Sequence, residues 1–76
     1  MSELLKEIFS SIMKITKSSI SDNSSPDNIE IWDSLRHIHL VSALEEKFDV
    51  EFTDKEIDEM HNFRLIEIIL RDKLSN

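Results

Sequence analysis

The segment from Ile31 to Phe48, IWDSLRHIHLVSALEEKF, contains the strongest helix signal in the chain. From residue 35 onward its apolar side chains recur at three- and four-residue spacing, which is typical of one face of an α-helix. The members of this face are Leu35, Ile38, Val41, Leu44 and Phe48. Asp33 is a favourable N-cap residue, and Trp32 stands where a staple residue packs against the first turn. The segment therefore predicts a helix over 34–48 that begins directly after Asp33.

A second amphipathic helix is predicted upstream, over residues 2–17. Ser2 is a candidate cap for its start. Its apolar residues repeat at helical spacing and are expected to face the core. They are Leu4, Leu5, Ile8, Phe9, Ile12 and Ile15.

Two helices are predicted downstream. Residues 54–59 follow a capping box in which Thr53 and Glu56 exchange hydrogen bonds. Ile57, helped by Met60, is the main apolar anchor of this short helix, so we expect it to be the least stable element. Asn62 is expected to cap a last helix over 63–74. The inward-facing residues of that helix are predicted to be Phe63, Ile66, Ile69 and Leu70.

Residues 18–32 form a long connection rich in Ser, Asp and Asn, which also holds the only proline, Pro26. Such long loops in small domains are often functional. Four apolar residues are expected to hold it against the helices: Ile20, Ile29, Ile31 and Trp32. The elements together predict an all-α fold, a four-helix bundle with a long first loop and a short third helix.

The composition limits the possible functions. The 76 residues are enough for one domain, and the chain has no cysteine and no glycine. Disulfides, thiolate chemistry and glycine-rich phosphate loops are thereby excluded, and a reducing cytoplasm is the expected location. No apolar run approaches the roughly 20 residues that a membrane span needs.

The charge is strongly acidic and unevenly distributed. Nine basic and sixteen acidic residues give a net charge of -7. Residues 45–59 hold eight acidic and two basic residues, and so contribute 2 - 8 = -6. Direct nucleic-acid binding is not expected, because phosphates attract basic surfaces. The acidic segment either serves solubility alone or steers a basic partner protein towards the chain. In the second case the expected partner-binding carboxylates are Glu45, Glu46, Glu51 and Glu56.

Ser34 is the candidate functional residue. It falls at the first helical position after the long loop, where its hydroxyl is expected to be accessible. The free N–H groups and the helix dipole at that position favour a phosphate group. An Asp-Ser pair at a helix start is also common in plain helix caps. The pattern alone therefore leaves open whether Ser34 carries a phosphate group or only belongs to a cap.

The sequence around Ser34 resembles the acyl carrier protein family. Asp33-Ser34-Leu35 and the following LVSALEEKF run, residues 40–48, are similar to the Asp-Ser-Leu signature and second helix of that family. Val50, Phe52, Ile57 and Met60 are similar to its short third helix, and Phe63, Ile66 and Leu70 to its last. The resemblance covers nearly the whole chain, residues 1–76, as one carrier domain.

The chain departs from the family pattern at two places. Many carriers have a glycine shortly before the Asp-Ser pair, where this chain has Ile31 and Trp32. A tryptophan at this position resembles a subset of free-standing carriers from specialised pathways. Arg36, His37 and His39 also make the first turn more basic than in many fatty-acid carriers.

The resemblance implies a carrier rather than an enzyme. A phosphopantetheinyl transferase would use coenzyme A and a magnesium ion, and the Ser34 hydroxyl would attack the pyrophosphate to leave 4'-phosphopantetheine as a phosphodiester. Asp33 would help to hold the metal besides capping the helix. Leu35 is expected to belong to the cofactor site and to contact partners such as a loading ligase or transferase, unless it serves packing alone. Arg36 beside it is a further expected partner contact. Fatty acyl, polyketide and aminoacyl cargoes remain open, and a monomer is expected.

Three other functions would use some of the same residues. Ser34 and His37 are neighbours on a helix, but three groups within one helical turn provide neither a far-side acid nor an oxyanion hole, so a hydrolase is not expected. His37 and His39 lie about 200° apart on a helix and are not expected to share a metal ion. The remaining alternative is an unmodified acidic interaction module in which Ser34 is only a capping-region residue.

Overall fold

The computed structural model describes residues 2–75, which form four α-helices and one 3₁₀ turn. These are α1 (Ser2–Met13), the 3₁₀ turn (Lys17–Ser19), α2 (Ser34–Phe48), α3 (Asp54–Asp58) and α4 (Phe63–Ser75). Within this range no residue lies in a β-strand. The predicted all-α architecture, with a long first connection and a short third helix, is confirmed. No helix in residues 2–75 is long and apolar enough to cross a membrane.

The first helix ends four residues earlier than the prediction of 2–17, because Lys14 adopts a left-handed conformation with φ 57°. The N–H of Ile15 then donates to the carbonyl of Ser10 at 3.1 Å, which is the closing bond of a Schellman motif. Helix α2 ends in the same way at Asp49, with φ 55°. Glycine usually occupies this left-handed position and so marks the end of a helix in a sequence. Because this chain has no glycine, its sequence does not show where α1 and α2 end.

Ser2 connects α1 to α4. It lies within α1, and its hydroxyl donates to Glu67 Oε2 at 2.9 Å, so the prediction that Ser2 caps the helix is wrong. This bond, helped by Arg71, lowers the pKa of the Glu67 carboxyl below its ordinary value.

Helix α2 presents a different face to the core from the one predicted. Leu40, Val41 and Leu44 are buried, but Leu35 is 66% exposed and Ile38 is 52% exposed. Successive steps of three residues drift by about 60° each on a helix, so Leu35 lies about 180° away from Leu44. The prediction that Leu35 and Ile38 belong to the core stripe is therefore wrong.

The rest of the core comes from all parts of the chain. Its buried apolar residues outside α2 are Leu5, Phe9, Met13, Ile29, Trp32, Phe52, Met60, Phe63, Ile66 and Leu70. The side chains of Ile8, Ile12, Ile15, Ile57 and Ile69 are partly buried against it.

The long connection is bonded to α4 through its backbone. The carbonyl of Ser24 accepts from the N–H of Phe63 at 2.9 Å, and the carbonyl of Asp22 accepts from Arg64 at 3.2 Å. The Asn62 side chain accepts from Leu65 at 2.8 Å, which confirms it as a cap. Two of the first N–H groups of α4 are thus satisfied by the loop that leads to α2, and the next by the Asn62 side chain.

Apolar contacts hold the end of that connection. Trp32 is buried and meets the ring of Phe9 edge to face, with 5.5 Å between ring centroids. Ile29 is also buried and Ile20 partly so, as predicted, but Ile31 is 37% exposed, so its predicted packing role is wrong. Trp32 therefore fixes the chain two residues before α2 begins.

Helix α3 is held by polar contacts and by the predicted apolar anchors, the partly buried Ile57 and the buried Met60. The predicted capping box is present, with Thr53 and Glu56 bonded in both directions, although the helix ends at Asp58 rather than 59. Lys73 of α4 forms an ion pair with Glu56 at 2.8 Å. No α3 residue is fully buried, although Met60 just after the helix is.

Candidate functional site

Ser34 is the first residue of α2, and its side chain is exposed. Among the described residues, 2–75, no side-chain hydrogen bond engages its hydroxyl. The long connection delivers the chain to this point, and the anchored Trp32 fixes where the helix starts. A phosphate on Ser34 would sit at the N-terminal end of a helix of 15 residues, where the dipole and free N–H groups favour negative charge.

Asp33 caps this helix start. Its backbone is extended, with φ -106° and ψ -172°, and its Oδ1 accepts from the N–H of Arg36 at 2.8 Å. The carbonyl of Asp33 accepts from the N–H of His37 at 2.9 Å. The bond to Arg36 uses one oxygen of an exposed carboxylate, so the capping role leaves the second oxygen for other contacts.

A cleft of about 630 Å³ opens beside Ser34. It lies between the end of the long connection, the first turn of α2 and the segment around α3. Its wall combines apolar and polar side chains, among them Trp32, His37, Ile38, Ile57, Met60 and His61. Ser34 lies at the edge of a concave surface rather than on a flat one.

The two ring nitrogens of His37 are both used within the protein. Nδ1 lies 3.0 Å from Trp32 Nε1, and Nε2 lies 2.9 Å from the carbonyl oxygen of Ile57. Neither nitrogen is available to take a proton from Ser34, which agrees with the expectation that the chain has no Ser-His catalytic pair. His39 is exposed on another face, and within residues 2–75 no group of three potential metal ligands occurs.

The predicted partner-binding carboxylates fall into two pairs. Glu46 and Glu51 are exposed. Glu45 instead accepts from the N–H of Phe52 at 2.9 Å. Glu56 belongs to the capping box and the Lys73 ion pair, whose hydrogen bond lowers the pKa of its carboxyl. Glu45 and Glu56 thus have structural contacts, of which the sequence pattern indicated only the capping box of Glu56.

Two exposed apolar side chains lie on the outer face of the first turns of α2. Leu35 and Ile38 are three residues apart, so they are neighbours on that face. Leu35 directly follows Ser34 in the chain, and Ile38 lies one turn further along the same helix. Exposed apolar groups of this kind frequently mark protein contacts.

These features define the class of protein. A four-helix bundle presents one accessible serine at a helix entrance, bordered by apolar and charged groups and without a base to activate it. This arrangement suits a protein that is modified by an enzyme and then recognised by others, rather than a protein that carries out a reaction.

The comparisons identify the family. A family model described as a phosphopantetheine attachment site matches residues 3–67, and the chain belongs to that family. Among solved structures, the holo acyl carrier protein from Geobacter metallireducens, determined by solution NMR, is similar with a TM-score of 0.85 and 25% sequence identity. The match covers 96% of this chain and 84% of that chain. Comparison with curated proteins gives no significant match.

Family and fold together give the general function. The chain is a carrier protein of the acyl carrier type and not an enzyme, and its cofactor is covalently attached 4'-phosphopantetheine. Carriers of this family interact with phosphopantetheinyl transferases and with biosynthetic enzymes. The resemblance predicted from Asp33-Ser34-Leu35 and the following helix is confirmed.

Proposed function

We propose that Ser34 is the attachment residue and that the chain carries acyl or aminoacyl intermediates as thioesters for a fatty-acid or specialised biosynthetic pathway. The observation that supports this most is the position of Ser34. Its hydroxyl is exposed, free of hydrogen bonds to residues 2–75, and located at a helix N-terminus beside a cleft. When bound, the phosphopantetheine arm supplies a terminal thiol that holds the cargo.

The residues around Ser34 have distinct proposed roles in attachment. The Ser34 oxygen forms the new bond to phosphorus as the pyrophosphate bond of coenzyme A breaks and its adenosine bisphosphate half leaves. A base of the transferase removes the Ser34 proton, since His37 has no free nitrogen. Asp33 fixes the helix start and offers a carboxylate oxygen to the magnesium ion of the transferase. The dipole of α2 stabilises the phosphodiester after transfer.

The proposed docking surface combines apolar contact with acidic steering. Leu35, 66% exposed, gives the apolar contact next to the attachment point, with Arg36 beside it. Glu46 and Glu51 attract basic partner surfaces, and Glu45 and Glu56 add to the field while serving their structural bonds. We propose one domain over residues 1–76, acting as a monomer in the cytoplasm.

Intact-mass measurement tests the attachment residue. The chain is incubated with coenzyme A, magnesium and a transferase of broad specificity. Wild-type protein and Ser42→Ala should each gain one phosphopantetheine group, whereas Ser34→Ala should gain none. Ser42 is the matched control because it is an exposed serine on the same helix. An adduct on Ser34→Ala would refute the assignment, and no adduct on wild type would favour an unmodified interaction module.

A second pair of variants tests the docking surface. Leu35→Ser should leave thermal stability nearly unchanged, because the side chain is exposed, but should raise the KM of the transferase for the carrier. Ile68→Ser is the control, since Ile68 is 45% exposed on α4. Equal KM values for the two variants would contradict a contact role for Leu35.

A further inference from the structure

His37 connects three separate parts of the chain at the cleft beside Ser34. Its ring lies nearly parallel to the indole of Trp32, with centroids 5.9 Å apart and an interplanar angle of 17°. Trp32 Nε1 lies 3.0 Å from Nδ1, and the carbonyl oxygen of Ile57 lies 2.9 Å from Nε2. One imidazole therefore links the end of the long connection, the first turns of α2 and the end of α3.

The partners determine which nitrogen of His37 carries the proton. An indole Nε1–H can only donate, so Nδ1 must accept. A carbonyl oxygen can only accept, so Nε2 must carry the hydrogen and donate. The two bonds are satisfied together only by the neutral ring protonated at Nε2. Trp32 therefore donates a hydrogen bond to His37, and His37 donates one to the carbonyl of Ile57.

Helix α3 is held at its C-terminal end by His37, by the buried Met60 that follows it, and by the bonds from the N–H of Glu59 to the carbonyls of Lys55 and Glu56. It has five residues, too few to be stable without tertiary contacts. The capping box and the Lys73 ion pair both act at its N-terminal side, through Glu56. At the other end, the Ile57 carbonyl accepts from the N–H of Met60 at 3.3 Å, which is longer than its bond to His37.

We propose that His37 is a positioning residue that holds Trp32 and the end of α3 on opposite sides of the Ser34 cleft. By fixing α3 relative to α2, it presents the two helices to the transferase in one arrangement. The effect on modification rests on the proposed attachment at Ser34, whereas the arrangement of the three residues does not. His37 acts on the site through Trp32 and Ile57 and does not touch the reacting atoms.

The first test examines the unmodified wild-type protein by NMR. The ¹⁵N signals of the His37 ring should show a bare Nδ1 and a protonated Nε2 at neutral pH. The Trp32 indole proton should exchange slowly with solvent. A ring protonated at Nδ1, or one that averages the two tautomers, would overturn the proposal, and this measurement needs no variant to fold.

Two substitutions separate the hydrogen bonds from packing. His37→Phe keeps an aromatic ring against Trp32 but removes both polar atoms. Hydrogen exchange of the indole proton and of the Ile57–Glu59 amides should then accelerate by roughly two- to ten-fold. His37→Gln offers an acceptor and a donor side by side and should restore most of the protection. His39→Phe, exposed on the same helix, is the control and should change neither rate.

Transferase kinetics on the same variants test the consequence for the site. His37→Phe should raise the KM for the carrier by roughly two- to ten-fold with kcat little changed, because Ser34 itself is intact. His37→Gln and His39→Phe should stay near wild type. A His37→Phe protein with wild-type KM, or a His37→Gln protein as impaired as His37→Phe, would overturn the proposal. If wild-type protein were not modified at all, the attachment proposal would fail, while the NMR results would still decide the role of His37.

Discussion

Replacing Asp33 separates its structural role from its proposed chemical role. Its Oδ1 accepts from the N–H of Arg36 at 2.8 Å and so caps α2, the longest helix of the chain. Asp33→Ala removes the acceptor, and loss of such a cap costs about 1 kcal/mol. In a domain of this size that corresponds to a fall in melting temperature of about 4–8 °C.

Asp33→Asn provides the matched comparison. Its amide oxygen can still accept from Arg36, and asparagine caps helices about as well as aspartate. Only the interaction of the charge with the helix dipole is lost, about 0.3–1 kcal/mol at low salt, and this loss should shrink as salt is added. Asp22→Ala, an exposed loop substitution, should stay within about 0.5 kcal/mol of wild type.

The rate at which the transferase modifies each variant then tests whether Asp33 helps to hold the magnesium ion. If the Asp33 carboxylate helps to hold the magnesium ion of the transferase, Asp33→Asn should be modified at least about ten-fold more slowly although it is stably folded. Thermal melts and intact-mass time courses measure the two effects separately. At a salt concentration that screens the helix dipole, Asp33→Asn melting as low as Asp33→Ala would refute the capping argument. Modification of Asp33→Asn at the wild-type rate would limit Asp33 to capping.

Three other results are expected. Lys14→Gly should raise the free energy of unfolding by about 1 kcal/mol, because glycine occupies the left-handed position without strain; a lower melting temperature would contradict this. The hydrogen bond from the Ser2 hydroxyl lowers the pKa of the Glu67 carboxyl below its ordinary 4.5 in the folded state. The ionised carboxyl therefore stabilises the fold above pH 4.5, and this stabilisation is lost as the pH falls through the lowered pKa. Glu67→Gln should therefore flatten the fall in melting temperature as the pH drops below 4.5, and an unchanged slope would count against the bond. Glu46→Lys should slow modification more at low than at high salt, whereas Asp22→Lys, with the same change in charge, should not; equal effects would indicate net charge rather than docking.

The helices and their starts could be predicted because local signals specify them. The Thr53–Glu56 capping box and the Asn62 and Asp33 caps each rest on a side chain that bonds a backbone N–H three residues later. Such bonds depend only on a few neighbouring residues, so the sequence pattern is sufficient to predict where these helices begin. The end of α1 was mispredicted because a lysine, rather than a glycine, takes the left-handed position.

The core face of α2 could be predicted only in part. Val41 and Leu44 are buried as expected, but Leu40 belongs to the core in place of Leu35 and Ile38. A run of apolar residues at steps of three drifts around the helix, and the sequence does not show which part of the run the other helices cover. The exposure of Leu35 supports its proposed contact with partner enzymes.

The role of His37 was missed because it depends on a tertiary contact. Trp32 was expected to pack against the first turn as a staple, and the fourth helical position, where a staple partner lies, is His37. That spacing was a signal for the Trp32–His37 contact. The bond from His37 to Ile57 joins residues 20 positions apart, and no local pattern predicts it.

Fragmentation of the modified protein tests the assignment of the attachment residue most directly. Cleavage after Lys17 and Arg36 releases residues 18–36, which contain Ser34 together with serines 18, 19, 21, 24 and 25 of the long connection. The account predicts that the shortest C-terminal fragment to retain the phosphopantetheine group is Ser34-Leu35-Arg36. A group retained only by fragments that reach back into residues 18–25, or found on another peptide, would contradict it.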